Sequence, residues 1–491
     1  MSSPPPTTRE IDAVRDRADR FVAELDEEYY LHYAGHKETL DLRPIYERYA
    51  ELTEVDTARA LEGGPTELWR FACEGFLGGL TRSHAERIAA AEAGLEARVD
   101  GETTPYRMLR VRLANEPERD RRERLEVERI RLLDEQLNPL HLEAAEIDRE
   151  AVTRLGAPNL YELYGRFGFR LDSLADECRE LLDETERLWE REGDRFVRER
   201  LGLGLDELRP WDMARLFRAP QLDQLYPSDR MLPALTATLA DLGVDLHGQE
   251  NVHLDVEQRP NKSPRAFCAP IEVPERVMLV IQPTGGKDDW EALFHEAGHA
   301  EHYAHTSADL PVEARRLGDN AVTEGWAALM ENLVTEPAWL SRRLDVPRPE
   351  ELARDGAITN LFFARRYSAK LLYEIEFFQS TDVASMRPRY AEILGDALKM
   401  PVHPESYLDD IDGGFYVISY LRSWAFEAQL RDFLRSEFGN AWFARREAGE
   451  LLRELWSLGQ GPTADELLRD VTGARLEMAS VAERVAEGLR G

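Results

Sequence analysis

Cysteine is scarce in this sequence, and the start of the chain has no hydrophobic leader pattern. Only three of the 491 residues are cysteine, Cys73, Cys178 and Cys268. An odd number at such wide spacing does not suit a disulfide framework or a cysteine-based zinc site, and it favours a reducing compartment, the cytoplasm. The first ten residues, MSSPPPTTRE, lack a cationic start followed by an apolar stretch, so we expect no secretory signal in this chain.

Long hydrophobic runs and positive charge are also in short supply. The longest purely aliphatic stretch extends from Val277 to Ile281, whereas about 20 apolar residues are needed to cross a bilayer. The chain has 62 Lys and Arg against 94 Asp and Glu, a formal net charge of −32 at pH 7. This surplus repels phosphate backbones and anionic membrane faces. We therefore expect neither nucleic acid nor a membrane as a partner.

Apolar residues recur at helical spacing along most of the chain. One such stripe consists of Leu171, Leu174, Cys178, Leu181 and Leu188. Spacings of three, four and seven residues place these side chains on one face of a helix. The sequence therefore predicts a mainly α-helical protein.

Only one region is typical of β-strands. Residues 252–256 and 266–281 are rich in β-branched and aromatic residues, and prolines interrupt the second stretch. This pattern predicts a small sheet. A glycine turn and two aspartates, Asp288 and Asp289, then precede a helical pattern. We expect an aspartate to cap a helix that begins near Trp290.

The segment from His295 to His299 reads His-Glu-Ala-Gly-His, an HExxH motif inside that helical pattern. Residues four apart lie on one helix face, about 5 to 6 Å apart at Cβ, so both histidine rings can face one ion. Zinc suits this pair of ligands. Glu296 lies one step round the helix, where its carboxylate can reach water at the metal without ligating the metal itself.

A third ligand has two candidates, of which His305 is the weaker. It follows His299 by six residues, the spacing of the HExxHxxGxxH zincins, but His302 stands where those proteins need a helix-breaking glycine. A continuing helix carries His305 about 9 Å further along its axis. For both His302 and His305 we therefore favour packing, or support of a ligating residue, over ligation.

Glu324 is the better candidate, because it follows His299 by 25 residues. That length allows the first helix to end, a loop with Pro311 and Gly318 to turn, and a second helix to run back beside the first. A His, His, Glu set leaves a fourth position for water, as a catalytic zinc requires.

Two further features of the second helix bear on the site. Ala327 and Ala328, together with Gly298 on the first helix, are small enough to allow a close approach. Glu331 lies seven residues after Glu324 and hence on the same face. We expect it either to pair with a ligating histidine or to be a solvated carboxylate.

Three blocks of sequence carry a likeness to a known family. Residues 261–267, Asn-Lys-Ser-Pro-Arg-Ala-Phe, precede the strand pattern, the glycine turn and the HExxH segment. Glu324 precedes Glu331-Asn332, and residues 415–420 read Phe-Tyr-Val-Ile-Ser-Tyr. These blocks resemble the edge strand, active-site helix, third-ligand helix and tyrosine-bearing segment of the zinc oligopeptidase family. That gluzincin family includes oligoendopeptidase F, thimet oligopeptidase and neurolysin.

The resemblance covers about residues 210–430 and implies a fold. It implies a mainly α, two-lobed metallopeptidase with a deep channel and a small β-sheet beside the active-site helix. In that interpretation residues 1–491 form one catalytic unit. Its parts are a mostly helical N-terminal part over 1–209, a zinc-site and substrate-binding core over 210–430, and C-terminal helices over 431–491.

The resemblance also implies an activity, the zinc-dependent hydrolysis of short peptides with one Zn²⁺ per chain. Glu296 is the expected general base, and Tyr420, with Tyr416 second, is the expected hydrogen-bond donor to the oxyanion. The substrate backbone is expected to pair with the strand at Ala266, Phe267, Cys268 and Ala269.

Some features depart from the family pattern and leave alternatives open. An acidic, glycine-rich stretch over 409–414 replaces the family's histidine and tyrosine, so substrate preference is not carried over. The stretch 408–412 is also similar to the carboxypeptidase Taq family, but Thr323 and Gly325 replace that family's residues around the third ligand. We favour an oligoendopeptidase over a carboxypeptidase. A second alternative is a catalytically silent metal-binding protein, against which the intact Glu296 argues.

Overall fold

The computed structural model describes residues 8–259, 261–263 and 265–490. It is 72% helix and 5% strand, which confirms the mainly α class that apolar periodicity predicts. None of the helices in this described part of the chain combines the length and apolar character that a bilayer crossing requires. In chain order the helices are α1 (Thr8–Tyr33), α2 (Arg43–Arg48), α3 (Val55–Ala60), α4 (Thr66–Gly94), α5 (Leu109–Asn115), α6 (Arg119–Leu132), α7 (Asn138–Ala151), α8 (Leu160–Arg166), α9 (Leu171–Leu188), α10 (Asp194–Leu201), α11 (Pro210–Arg218), α12 (Ser228–Asp241), α13 (Lys287–His305), α14 (Val312–Arg315), α15 (Asn320–Glu331), α16 (Pro337–Arg343), α17 (Pro349–Gln379), α18 (Arg387–Leu398), α19 (Val417–Phe438), α20 (Arg446–Trp456), α21 (Ala464–Thr472) and α22 (Ala479–Arg490).

The chain forms two compact units. The first unit comprises the described residues up to Ala72, then Gln221–Gly356, and those from Ile418 onward, and the second comprises Cys73–Pro220 and Ala357–Val417. The division at residues 209 and 430 that the sequence suggests stays a prediction.

A three-stranded sheet lies in the first unit, in the region that the sequence predicts. Its strands are β3 (Val252–Asp255), β4 (Phe267–Glu272) and β5 (Arg276–Val280), and their order is β3-β5-β4. Strand β3 is parallel to β5, whereas β4 is antiparallel to β5 and occupies an edge. Helices α1 and α13 both pack against β4.

The core of the first unit joins the sheet to α13 and α15. Val277 and Leu279 of β5 are fully or almost fully buried there, together with Trp290 and Phe294 of α13 and Trp326 of α15. Burying such large apolar side chains stabilises each helix far more than its intrinsic propensity does. The core therefore anchors the helix that carries HExxH.

The start of α13 differs from the sequence expectation. The helix begins at Lys287, three residues before Trp290, and its N-cap is Gly286 without any side-chain cap. The Oδ2 atom of Asp289 instead accepts hydrogen bonds from the Thr284 and Gly285 backbone N–H groups, at 2.6 and 2.9 Å. The expected aspartate cap is wrong, because that carboxylate stabilises the preceding turn.

A second, smaller sheet, which was not predicted, lies in the second unit. Its strands β1 (Glu96–Val99) and β2 (Glu102–Pro105) form an antiparallel hairpin. Asp100 and Gly101 connect them with φ angles of 54° and 81°. An Asp-Gly pair with both φ positive is the strongest short-range hairpin signal, and it was available in the sequence.

Candidate metal centre

Helices α13 and α15 run antiparallel in close contact. A Cβ atom at Gly298 of α13 would lie 2.5 Å from the Trp326 carbonyl oxygen and 2.6 Å from the Ala327 Cα atom. Those neighbours are backbone atoms that cannot move aside, so only glycine permits this spacing. The close approach predicted from small residues is confirmed.

Three side chains from these two helices converge on one point. His295, His299 and Glu324 offer ligand atoms that all lie within 4.8 Å of one another. The Nε2 atoms of His295 and His299 lie 3.5 and 3.8 Å from the same Glu324 oxygen, Oε2. Two imidazole nitrogens and one carboxylate oxygen are a donor set that suits zinc, and three protein ligands leave a coordination position open. The residues present therefore fit a catalytic zinc ion.

The Nδ1 atom of each histidine, on the side of the ring away from the cluster, contacts a side chain of α15. His295 Nδ1 lies 2.8 Å from Glu331 Oε2, and His299 Nδ1 lies 2.8 Å from Thr323 Oγ1. Such outer hydrogen bonds orient the rings and leave each Nε2 available to a cation. Glu331 is the candidate partner that the sequence predicts for a ligating histidine. Thr323 was not predicted, because no pattern along the chain indicates which α15 side chain meets His299.

The two histidines differ in their electrostatic surroundings. Burial lowers the pKa of His299 to about 4, so this ring is neutral at pH 7. Burial also acts to lower the pKa of His295, but hydrogen bonds with Glu324 and Glu331 outweigh it and raise that pKa well above 6.5. A cation that binds His295 must therefore displace a proton, which makes binding weaker as the pH falls.

Glu296 lies between the edge strand and the face of α13 that carries His295 and His299. Its Oε2 atom accepts a hydrogen bond from the Cys268 backbone N–H at 2.8 Å. Burial raises the pKa of Glu296 to about 7, although His295 and the Cys268 N–H act in the opposite direction. A carboxyl group that titrates near neutrality can both accept a proton and return it.

The expected substrate-binding residues lie at the start of the edge strand. Ala266 directly precedes β4, and Phe267, Cys268 and Ala269 are its first three residues. Cys268 and Phe267 point to opposite faces of the sheet because side chains alternate along a strand. The Cys268 backbone N–H is directed away from β5, toward Glu296.

The two expected tyrosines lie in different units. Tyr420 is on α19 within the first unit, where its ring stacks with Trp424 at a centroid distance of 6.3 Å. Tyr416 directly precedes α19 and belongs to the second unit. Helix α19 packs closely against α15: a Cβ atom added at Gly325 of α15 would lie only 2.4 Å from the Phe426 ring of α19. The oxyanion role of either tyrosine stays a prediction.

The two remaining histidines of α13 lie outside the cluster. His305 Nδ1 is 2.9 Å from the Glu301 carbonyl oxygen of its own helix. His302 is fully buried, with its ring 6.5 Å from that of Trp326. These positions agree with the packing roles that the sequence favours.

Comparison with known proteins adds no family assignment. No protein-family model matches this chain, and no curated protein matches it significantly. The resemblance to zinc oligopeptidases therefore depends on the motifs and their spacing.

Proposed function

We propose that this protein is a zinc-dependent peptidase that hydrolyses internal bonds of short peptides, an oligoendopeptidase of the zinc oligopeptidase family. The proposal includes that family's two-lobed fold with a deep channel. The observation that carries it is the convergence of His295, His299 and Glu324, with Glu296 adjacent and hydrogen-bonded to an edge strand. One Zn²⁺ per chain would be held by the two Nε2 atoms and the Glu324 carboxylate.

The chemistry divides between the metal and the protein. Zinc, when bound, supplies Lewis-acid polarisation of a carbonyl and lowers the pKa of water to about 7. Glu296 accepts the proton of the attacking water at its carboxylate and returns it to the departing amine. We assign the hydrogen bond to the oxyanion to Tyr420, with Tyr416 as the second choice.

Recognition of varied peptides fits an edge strand. A peptide that adds to the edge of a sheet is bound mainly through backbone hydrogen bonds, which are nearly independent of its side chains. Strand β4 is at an edge, and its residue Cys268 contacts the proposed base directly. This juxtaposition brings a bound backbone next to the group that would act on it.

A carboxypeptidase is the main alternative, and it needs a cation for the free carboxylate of its substrate. The pair Arg365-Arg366 offers two candidates in the sequence. Arg365 is buried and donates to the Ala397 and Leu182 carbonyl oxygens, while Arg366 is paired with Asp410. Both guanidinium groups are thus engaged within the second unit, which argues against either as the anchor.

The deciding experiment compares the zinc-loaded parent with its Glu296→Gln variant on internally quenched peptides blocked at both ends. We expect the variant to keep zinc and fold but to lose hydrolysis by about 10² to 10⁴-fold, because an amide cannot accept the proton. Glu272→Gln is the matched control, since Glu272 is exposed at the far end of β4.

Four results would contradict parts of the proposal. Activity of Glu296→Gln within a few-fold of the parent would show that Glu296 is not the base. If the Glu324→Ala variant still bound one zinc per chain, Glu324 would not be the third ligand, and His305 would become the candidate again. Cleavage only of peptides with a free carboxyl terminus, one residue at a time, would indicate the carboxypeptidase. Zinc binding by a parent that cleaves no peptide would indicate a catalytically silent metal-binding protein.

A further inference from the structure

The free edge of β4 is short. In an antiparallel pair, alternate residues direct their backbone groups to the partner strand and the others direct theirs outward. The Cys268 N–H points outward to Glu296, so the groups of Pro270 point outward as well. Arg316 donates to the Pro270 and Ile271 carbonyl oxygens, at 2.7 and 3.0 Å. The edge is therefore closed from Pro270 onward.

Arg316 is firmly held in this position. Its side chain is only 3% exposed and is ion-paired with Asp26 of α1. A charge-assisted contact of this kind, formed by a buried guanidinium, is costly to break. A peptide can therefore pair with this edge only over residues 266–268, through the outward backbone groups of Ala266 and the Cys268 carbonyl, because the Cys268 N–H is already bonded to Glu296. So short a backbone pairing contributes few hydrogen bonds, and side-chain contacts must supply part of the affinity.

Three aromatic side chains contact one another in sequence, starting from Phe267 in this open part of the edge. The rings of Tyr33 on α1 and Phe267 on β4 meet edge to face at a centroid distance of 6.4 Å, and Tyr29 stacks on Tyr33 at 6.2 Å. Tyr29 and Tyr33 are nevertheless 37% and 45% exposed. Phe267 directly precedes Cys268, whose N–H contacts Glu296. The aromatic surface thus begins one residue from the backbone group that contacts the proposed base, on the opposite face of the sheet from the Cys268 side chain.

The pleat of the sheet decides which substrate side chains meet this surface. Successive residues of an extended peptide point to opposite faces. A peptide paired with residues 266–268 therefore directs every second side chain to the face that carries Phe267 and Tyr33. The remaining side chains point to the face of Cys268.

We infer that Tyr29, Tyr33 and Phe267 form a subsite that binds an aromatic or large aliphatic side chain of a peptide. The identity of the ligand as a peptide substrate rests on the proposed function. Stacked and edge-to-face contacts are the geometries that aromatic rings prefer, and partly exposed tyrosines supply a rigid apolar surface for them. Backbone pairing with the edge strand accepts varied peptides, and the subsite adds a preference for a large apolar side chain at one substrate position.

A binding measurement on the zinc-loaded Glu296→Gln protein tests the subsite. The probes are fluorescent octapeptides of Ala and Gln, blocked at both ends, in which a single Phe is moved through each position and compared with Ser. At one position we expect Phe to bind about tenfold more tightly than Ser, as burial of one large apolar side chain predicts. Tyr33→Ala and Phe267→Ala should each remove most of this difference.

Two controls separate the subsite from general damage. Leu458 lies in the same unit and is 43% exposed, so Leu458→Ala should leave the Phe preference unchanged. Tyr33→Phe and Phe267→Leu keep an apolar surface and should retain most of it, with circular dichroism as the check on folding.

Each outcome supports or overturns the inference. Equal affinity for Phe and Ser peptides at every position overturns it, as does an unchanged preference in both alanine variants or the absence of any peptide binding. Selective binding by a protein whose parent form hydrolyses nothing supports the subsite and contradicts the proposed function. Hydrolysis by the parent with no preference at any position leaves the proposed function in place and overturns the subsite.

Discussion

The two histidines of the HExxH motif have outer partners of different chemistry. His295 donates to the carboxylate of Glu331, whereas His299 contacts the hydroxyl of Thr323. A carboxylate raises the basicity of the ring it binds more than a neutral hydroxyl does. We therefore expect Glu331 to strengthen the binding of a cation by His295 without being a ligand itself.

A single substitution tests this role at the scale of the residue. We expect Glu331→Gln to weaken zinc binding by about 10 to 100-fold, because the amide cannot stabilise positive charge on His295. Competition with a chromogenic chelator measures the affinity. The Glu272→Gln variant should bind zinc like the parent, because Glu272 lies at the end of β4, away from the three ligands. An unchanged dissociation constant in Glu331→Gln would show that Glu331 is only a solvated carboxylate.

At the scale of the element, the spacing between α13 and α15 positions the three predicted ligands. His295 and His299 project from one helix and Glu324 from the other. If the two helices moved apart to make room for one methyl group, the distances between the ligand atoms on the two helices would increase as well. Gly298 determines that spacing, because its missing side chain lets the two backbones touch.

We expect Gly298→Ala to destabilise the protein by about 1 to 3 kcal/mol through overpacking, and to weaken zinc binding at the same time. Urea unfolding and zinc titration measure the two effects. Gly78→Ala on α4 is the matched control, because a Cβ atom there meets nothing within 4 Å. That change should be neutral or slightly stabilising. Normal zinc affinity in Gly298→Ala would mean that the helix spacing does not determine the site.

At the scale of the whole molecule, the described ligand cluster belongs to only one of the two compact units. A ligand that binds the native state and not the unfolded state stabilises the structure that forms its site. The stabilisation reaches about 2.7 kcal/mol at a ligand concentration 100 times the dissociation constant. Zinc binding should thus be visible as slower local or global opening of the first unit.

Hydrogen exchange measured by mass spectrometry locates this effect. With zinc present, we expect amides of α13 and α15 to exchange up to about 100-fold more slowly than after chelation. The His299→Ala variant should show no such difference, because it lacks one ligand. Protection that persists in His299→Ala, or that is absent from both helices in the parent, would place the zinc elsewhere.

Features that depend on short stretches of chain could be predicted from the amino-acid sequence. Apolar periodicity predicted the helical class, β-branched residues located the sheet over 252–281, and helical pitch placed His295 and His299 on one face. The 25-residue spacing to Glu324 and the small residues on both helices predicted a second helix in close contact. The hairpin at Asp100-Gly101 depends on an equally short stretch, and its two turn residues were sufficient to predict it.

Contacts between distant segments could not be predicted in this way and follow from the packing of the folded chain. Thr323 meets His299 across 24 residues, the Cys268 N–H meets Glu296 across 28, and Arg316 meets Asp26 across 290. Each contact depends on the rotation and register with which a helix or strand packs on its neighbour. Those quantities come from the fit of many side chains in a shared core, so no spacing along the chain contains them.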